Sequence, residues 1–158
     1  MHAAPRHARM ITIVQRVLHA RVHVDGEEVG ACARGFLLLV GVERGDSDPD
    51  ADATAEKLRK LRCFPGRTPM DATIADIGGS VLVVSQFTLF ASTRKGTRPS
   101  FNAAAKPDLA IPLYETFCRL LSVALGRPVA TGQFGAQMAV SLVNDGPVTL
   151  IIDTRLRE

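Results

Sequence analysis

The chain has 158 residues and a mass of 17.0 kDa, with 46% hydrophobic and 22% charged residues. That balance predicts one ordered domain with a sizeable core and excludes a disordered chain. The net charge of +3 and a pI near 9.0 fit an anionic partner without by themselves specifying nucleic acid. Cys32, Cys63 and Cys118 have no C-x-x-C spacing, which argues against a zinc ribbon or a dithiol site, and their odd number suits a reduced chain. No apolar run is long enough to span a bilayer.

In chain order, residues 1–9 read as a disordered extension ahead of a domain that begins at Met10. They have no apolar core of signal-peptide length. From Met10 the pattern has period two, β-branched residues dominate, and a strand is expected. Asp25-Gly26 supplies a type I′ turn dipeptide, so residues 20–32 read as a hairpin. Phe36 to Val40 is a continuous apolar run, as in a strand covered on both faces.

Ser47-Asp48-Pro49-Asp50 starts a helix: Ser47 can cap, and the acids suit the positive end of the dipole. Ala51, Ala55, Leu58 and Leu61 form its apolar face. Residues 64–71 form a loop, and Gly78-Gly79 precedes a strand from Val81 to Phe87. A polar, basic, turn-rich stretch fills residues 92–102. A second helix is expected from about Leu109, with Pro112 in its first turn and Gly126 at its end. Val129 to Thr131, Met138 to Val143 and Val148 to Ile152 are closing strands. The order β-β-β-α-β-α-β-β points to an α+β fold: a single domain with mixed and antiparallel sheets in a barrel-like core and two or three packed helices.

Few side chains suggest chemistry. His19 and His23 are four apart, but on a strand that spacing does not gather metal ligands. Asp46, Asp48, Asp50 and Asp52 lack the completion of a calcium loop and read as a helix start. Neither a G-x-x-x-x-G-K-[ST] loop nor a G-x-S-x-G elbow occurs. No metal and no cofactor are expected.

Two segments place uncharged polar groups where a strand ought to continue. Ser85 to Leu89 is a solvated strand end or a pocket rim, and by alternation Gln86 and Thr88 share a face. Asn144 to Thr149 contains Asp-Gly-Pro, a turn between strands in which the bond to Pro147 is of the type that can be cis. Spacing alone favours the plainer reading of each. The basic stretch Arg94-Lys95-Gly96-Thr97-Arg98, with Lys57, Arg59, Lys60, Arg62 and Arg67, suits phosphate contact. One Tyr and no Trp equip the chain poorly for stacking many bases, so any RNA contact should be local.

Taken together, these segments resemble the D-aminoacyl-tRNA deacylases. The resemblance is carried by residues 13–17, 24–26, 39–42, the block Val83-Val-Ser-Gln-Phe-Thr-Leu-Phe90, residues 94–101, 112–115 and 132–135, and Ser141 to Thr149. It spans about Met10 to Asp153, departs from the family at residues 64–71, and leaves 154–158 as a tail. It implies a cytoplasmic homodimer that hydrolyses the ester of D-aminoacyl-tRNA, and of glycine mischarged on the alanine tRNA. A cis Gly146-Pro147 peptide would reach into the partner's pocket and exclude L-amino acids. Ser85, Gln86, Phe87 and Thr88 would form the pocket wall, with Arg16 and Asn144 supporting the Gly-Pro loop. Arg94, Lys95 and Arg98 are candidates for tRNA contact. Thr88 is a nucleophile by residue type, but the resemblance favours catalysis assisted by the 2′-OH of the terminal adenosine. No membrane or DNA partner is expected. The alternative is a non-catalytic RNA-binding module on the same fold; a further reading is a hydrolase using Cys118 or Cys63.

Overall fold

The computed structural model describes residues 9–155. The expected N-terminal extension therefore lies outside the described residues except for Arg9, and so does the end of the C-terminal tail.

Strand β1 (Ile11–Val24) is the spine of the sheet. Along one edge it pairs antiparallel with β3 (Gly35–Gly41) and then with β2 (Glu27–Cys32). Along the other it pairs with β6 (Ala139–Asp153) for nearly its whole length. The β1–β2 turn is the expected one, with Asp25 at φ 50° and Gly26 at φ 81°. Parallel pairing extends the sheet from β3 to β4 (Ser80–Ser85) and the short β5 (Ala130–Thr131). The sheet nearly closes where β2 meets β5: a Cβ on Gly30 would run into the carbonyl of Thr131. The result is a barrel-like α+β domain.

The continuous apolar run in β3 follows from this closure. Phe36, Leu38 and Val40 join the cluster beneath the helices, while Leu37 joins Val17, Ala20, Val22, Leu82 and Val84 inside the barrel. An irregularity between Val17 and His19 changes the phase of β1, so odd positions face inward before it and even positions after it. Helix α1 (Asp48–Lys60) begins at Ser47, whose N–H is capped by the Asp50 carboxylate at 3.0 Å. It buries Ala51, Ala55 and Leu58, as the spacing predicts.

Three expectations require correction. Helix α2 (Pro107–Leu125) starts two residues early, because Pro107 occupies its first position. Pro112 consequently lies inside the helix, exposed, on the side away from buried Leu113, Phe117 and Leu121. Strand β4 stops at Ser85 rather than Phe87, since residues Phe87–Phe90 form a 3-10 turn. The two strands expected at 138–143 and 148–152 are one strand, β6, interrupted by a bulge.

Candidate active site

The end of β4 opens onto a cavity of about 650 Å³, the size of a small-molecule site. The Gln86 N–H donates to the Val40 carbonyl at 2.8 Å, and the Leu89 N–H to the Gln86 carbonyl at 3.3 Å. These bonds turn the chain out of the sheet and set Ser85, Gln86, Phe87 and Thr88 side by side along one wall. The face-sharing predicted by strand alternation for Gln86 and Thr88 is thus replaced by a 3-10 arrangement. Residues 134–138, Ala110 and Tyr114 of α2, and the apolar side chains of Leu37, Leu39, Val84, Val140 and Leu142 add to the lining.

The chemistry of this lining is narrow. Its polar side chains are Gln15, Ser85, Gln86, Thr88, Tyr114 and Gln137; among the described residues it contains no Asp, Glu, His, Lys or Arg. Tyr114 donates its hydroxyl to the Val83 carbonyl at 3.0 Å, and burial pushes its phenol well above the ordinary range. It is a strut rather than a base. Thr88, exposed at the rim, has no base in the lining to activate it, which makes it a poor nucleophile. The cavity offers side-chain hydroxyls and amides. Such groups can orient an ester and stabilise developing charge, but they do not shuttle protons. Burial also raises the Cys63 thiol and pushes Cys118 up to about 11, so the thiol hydrolase reading lacks an activated sulfur.

The second sequence-derived segment lies in β6. Gln15 pairs with Thr149 and Val17 with Asn144, so Asp145, Gly146, Pro147 and Val148 together stand opposite the single residue Arg16. The Gly146–Pro147 peptide is cis. Arg16, only 7% exposed, donates from Nε to the Asp145 carbonyl at 2.9 Å and from Nη1 to the Cys63 carbonyl at 2.7 Å. The Asp145 carboxylate lies 3.6 Å from the same guanidinium. Asn144 closes the bulge from below: its Oδ1 accepts the Val148 N–H at 2.8 Å, and its Nδ2 donates to the Thr149 hydroxyl at 2.9 Å. Gly146 sits at φ 140°, where a Cβ would come within 2.7 Å of the Val148 side chain and 3.3 Å of Arg16. The tip, Gly146 and Pro147, is exposed and does not line the cavity of its own chain.

The residues matched by the family model described as D-Tyr-tRNA(Tyr) deacylase, 13–153, include both segments. The chain belongs to this deacylase family. It is 56% identical over 152 residues to the D-aminoacyl-tRNA deacylase of Opitutus terrae, covering 94% of this chain and all of that protein. The D-aminoacyl-tRNA deacylase of Bacteroides fragilis is 51% identical over 150 residues, with the same coverage. Among solved structures, one titled c-Myc DNA Unwinding Element Binding Protein superposes with a TM-score of 0.82 at 33% identity, covering 90% of this chain and 97% of that one. A structure of a probable eukaryotic D-amino acid tRNA deacylase has the same fold, with a TM-score of 0.79 at 18% identity over 92% of this chain and 99% of that one.

Within this deacylase, the structure brings Ser85, Gln86, Phe87 and Thr88 together and places Arg16 and Asn144 on the Gly-Pro bulge. Arg94, Lys95 and Arg98 lie outside the cavity, on an exposed turn closed by paired hydrogen bonds between Ser92 and Ser100 at 2.7 and 2.8 Å. Sequence reasoning missed Gln15, Tyr114 and the wall at Phe134 to Met138 as site residues. The small and amide residues of Gln133-Phe-Gly-Ala-Gln137, set between two strands, were the available signal.

Proposed function

We propose that this D-aminoacyl-tRNA deacylase works as a homodimer in which the Gly146-Pro147 tip of one chain completes the cavity of the other. Hydrolysis of D-aminoacyl-tRNA goes with the family; the division of labour among residues is our reading. Residues 10–153 form the catalytic domain, and the protein acts in the cytoplasm. The observation that carries the reading is the separation within one chain. Residues 85–88 line the cavity, while the Gly-Pro loop, held by Arg16 and Asn144, is exposed and lies outside the cavity lining of its own chain.

In this scheme the partner's Gly-Pro backbone forms the wall that an L side chain would strike. A backbone wall is indifferent to side-chain identity, so the enzyme tolerates many D-amino acids and also glycine, including glycine mischarged on the alanine tRNA. Rejection of the L form is achieved by clash rather than by a better fit for the D form. Asn144 and Arg16 keep the loop in place.

A cavity lining without an acid or base among the described residues is compatible with catalysis because an aminoacyl ester is already activated. An acceleration of ~10³-fold corresponds to about 4 kcal/mol. Well-placed donors contribute roughly 3–4 kcal/mol, and positioning of water contributes more. The terminal 2′-OH of the substrate supplies the remaining proton-handling group, with Ser85, Gln86, Thr88 and the backbone of Phe87 holding the ester against it. Paired assays of D- and L-aminoacyl esters on one tRNA test the reading directly. Hydrolysis of the D ester with the L ester spared is expected, and equal rates would refute the chiral wall.

A further inference from the structure

Among the described residues, Phe87 is the exposed large apolar side chain of the cavity lining. It lines the rim, yet 57% of it is exposed. Its ring is held by Phe101 in a T-shaped contact, with centroids 5.1 Å apart and planes at 70°. That contact fixes the ring from one side and leaves more than half its surface facing solvent. Phe101 follows Ser100, the stem residue of the basic turn, so the ring pair sits at the foot of the turn bearing Arg94, Lys95 and Arg98. Arg94 and Arg98 are each two residues from the stem pair, within roughly 7 Å of it along the chain. The local charge has one sign: the sequence contains no Asp or Glu between Asp76 and Asp108.

An exposed, immobilised aromatic ring beside a row of cations without interspersed acids matches the chemistry of single-stranded nucleic acid. A folded protein partner would require acidic groups to meet this turn but would have no particular use for an exposed ring at a cavity rim. Resting on the reading that the cavity receives the charged RNA end, we propose that Phe87, braced by Phe101, is a stacking platform for the base next to the esterified nucleotide. Arg94, Lys95 and Arg98 meet the phosphates on either side. The cavity takes the terminal residue and its amino acid; the ring takes the next base and sets the angle at which the strand enters. Stacking reads no sequence, so the platform serves any tRNA with an unpaired end.

The absence of tryptophan in the chain provides a clean test. Phe87→Trp introduces a single reporter at the proposed platform. Uncharged tRNA should change the emission of this variant, and the same tRNA trimmed of its unpaired 3′ nucleotides should not. Phe87→Ala should weaken binding of intact tRNA by roughly tenfold to a hundredfold, and Phe87→Tyr should restore it. Phe101→Leu, which removes the bracing ring at similar volume, should give a smaller loss. If intact tRNA binds the Phe87→Trp variant, as judged by anisotropy, but leaves its indole emission unchanged, the platform is refuted while the deacylase reading stands. If the indole of the free variant is already shielded from acrylamide in a concentration-dependent way, a second copy covers position 87 and the platform is likewise refuted. If the wild type binds no tRNA at all, the reading of the cavity falls and takes the platform with it.

Discussion

Arg16 holds two carbonyls from distant parts of the chain, one in the Gly-Pro bulge and one just after α1. A lysine offers a point charge without the two-armed donor geometry. Arg16→Lys should therefore fold but lose one of the two bonds, each charge-assisted and worth about 1.5–3 kcal/mol. A fall in D-over-L selectivity of roughly tenfold or more is the expected result in paired deacylation assays, with a melting temperature lowered by several degrees. Thr88 behaves differently at the same scale. With no base in the cavity lining among the described residues, Thr88→Ala should cost less than about a hundredfold in kcat. A loss of ~10⁵-fold, or an acyl group trapped on Thr88, would restore it as the nucleophile. Asp46, outside the site, provides a pH test. Burial is the main reason its carboxyl is raised to about 7; it accepts the Glu43 N–H at 2.7 Å with Oδ2, while its Oδ1 is buried without a hydrogen-bond partner. Because the folded value exceeds the unfolded one, near 3.9, the folded state binds more protons between those limits, and stability falls as pH rises through that window. Melting curves of wild type and Asp46→Asn from pH 4 to 8 should diverge, with the variant gaining on the wild type as pH rises. Parallel curves would show that Asp46 is ionised throughout.

At the scale of elements, period-two and period-3.6 patterns were readable wherever a strand or helix had one dry face. This held for the second half of β1, its hairpin with β2, and α1. It failed where local signals have two solutions. Asp145-Gly146-Pro147 has the composition of a turn, and a turn implies two separate strands. Both flanks in fact pair with the same neighbour, Gln15 with Thr149 and Val17 with Asn144, which only long-range pairing can decide. Ser85 to Leu89 is similar: alternation continues through the sequence, but the hydrogen bond from Gln86 to Val40 ends the strand. The candidate site stood out in the sequence at 85–88 and at the bulge because polar residues interrupt apolar strands there. The wall at 134–138 lacks such contrast, since glycine, alanine and glutamine between strands also describe an ordinary loop. The bulge yields its own prediction. Asn144 bonds across it twice, so Asn144→Ala should free the Val148 N–H and loosen the tip. Hydrolysis of the L ester should rise, with D turnover changed less than threefold or so. Unchanged stereoselectivity would reduce Asn144 to a purely structural role.

At the scale of the whole molecule, the question is which chain a Gly-Pro tip serves. Among the described residues, strand β6 pairs only with β1, so its other edge is open along 15 residues. Ile151 is 70% exposed and Val143 42%. Long open edges of this kind favour pairing with another copy. A two-fold interface would give each partner the same donated loop. Mixing two variants can test this. Ala136→Trp fills the cavity from a loop position but keeps an intact tip, so it should be inactive. Pro147→Ala keeps the cavity but releases the ring-fixed tip, so it should hydrolyse both D and L esters. Coexpressed in equal amounts with free assortment, half of the Pro147→Ala cavities would face an intact tip from the other variant. Their L hydrolysis per chain should fall to about half, and a large excess of the Ala136→Trp chain should suppress it almost completely while D hydrolysis persists. Restored chirality from an inactive partner requires that the wall be supplied across the interface. If L hydrolysis ignores the added chain, each tip serves its own cavity or none.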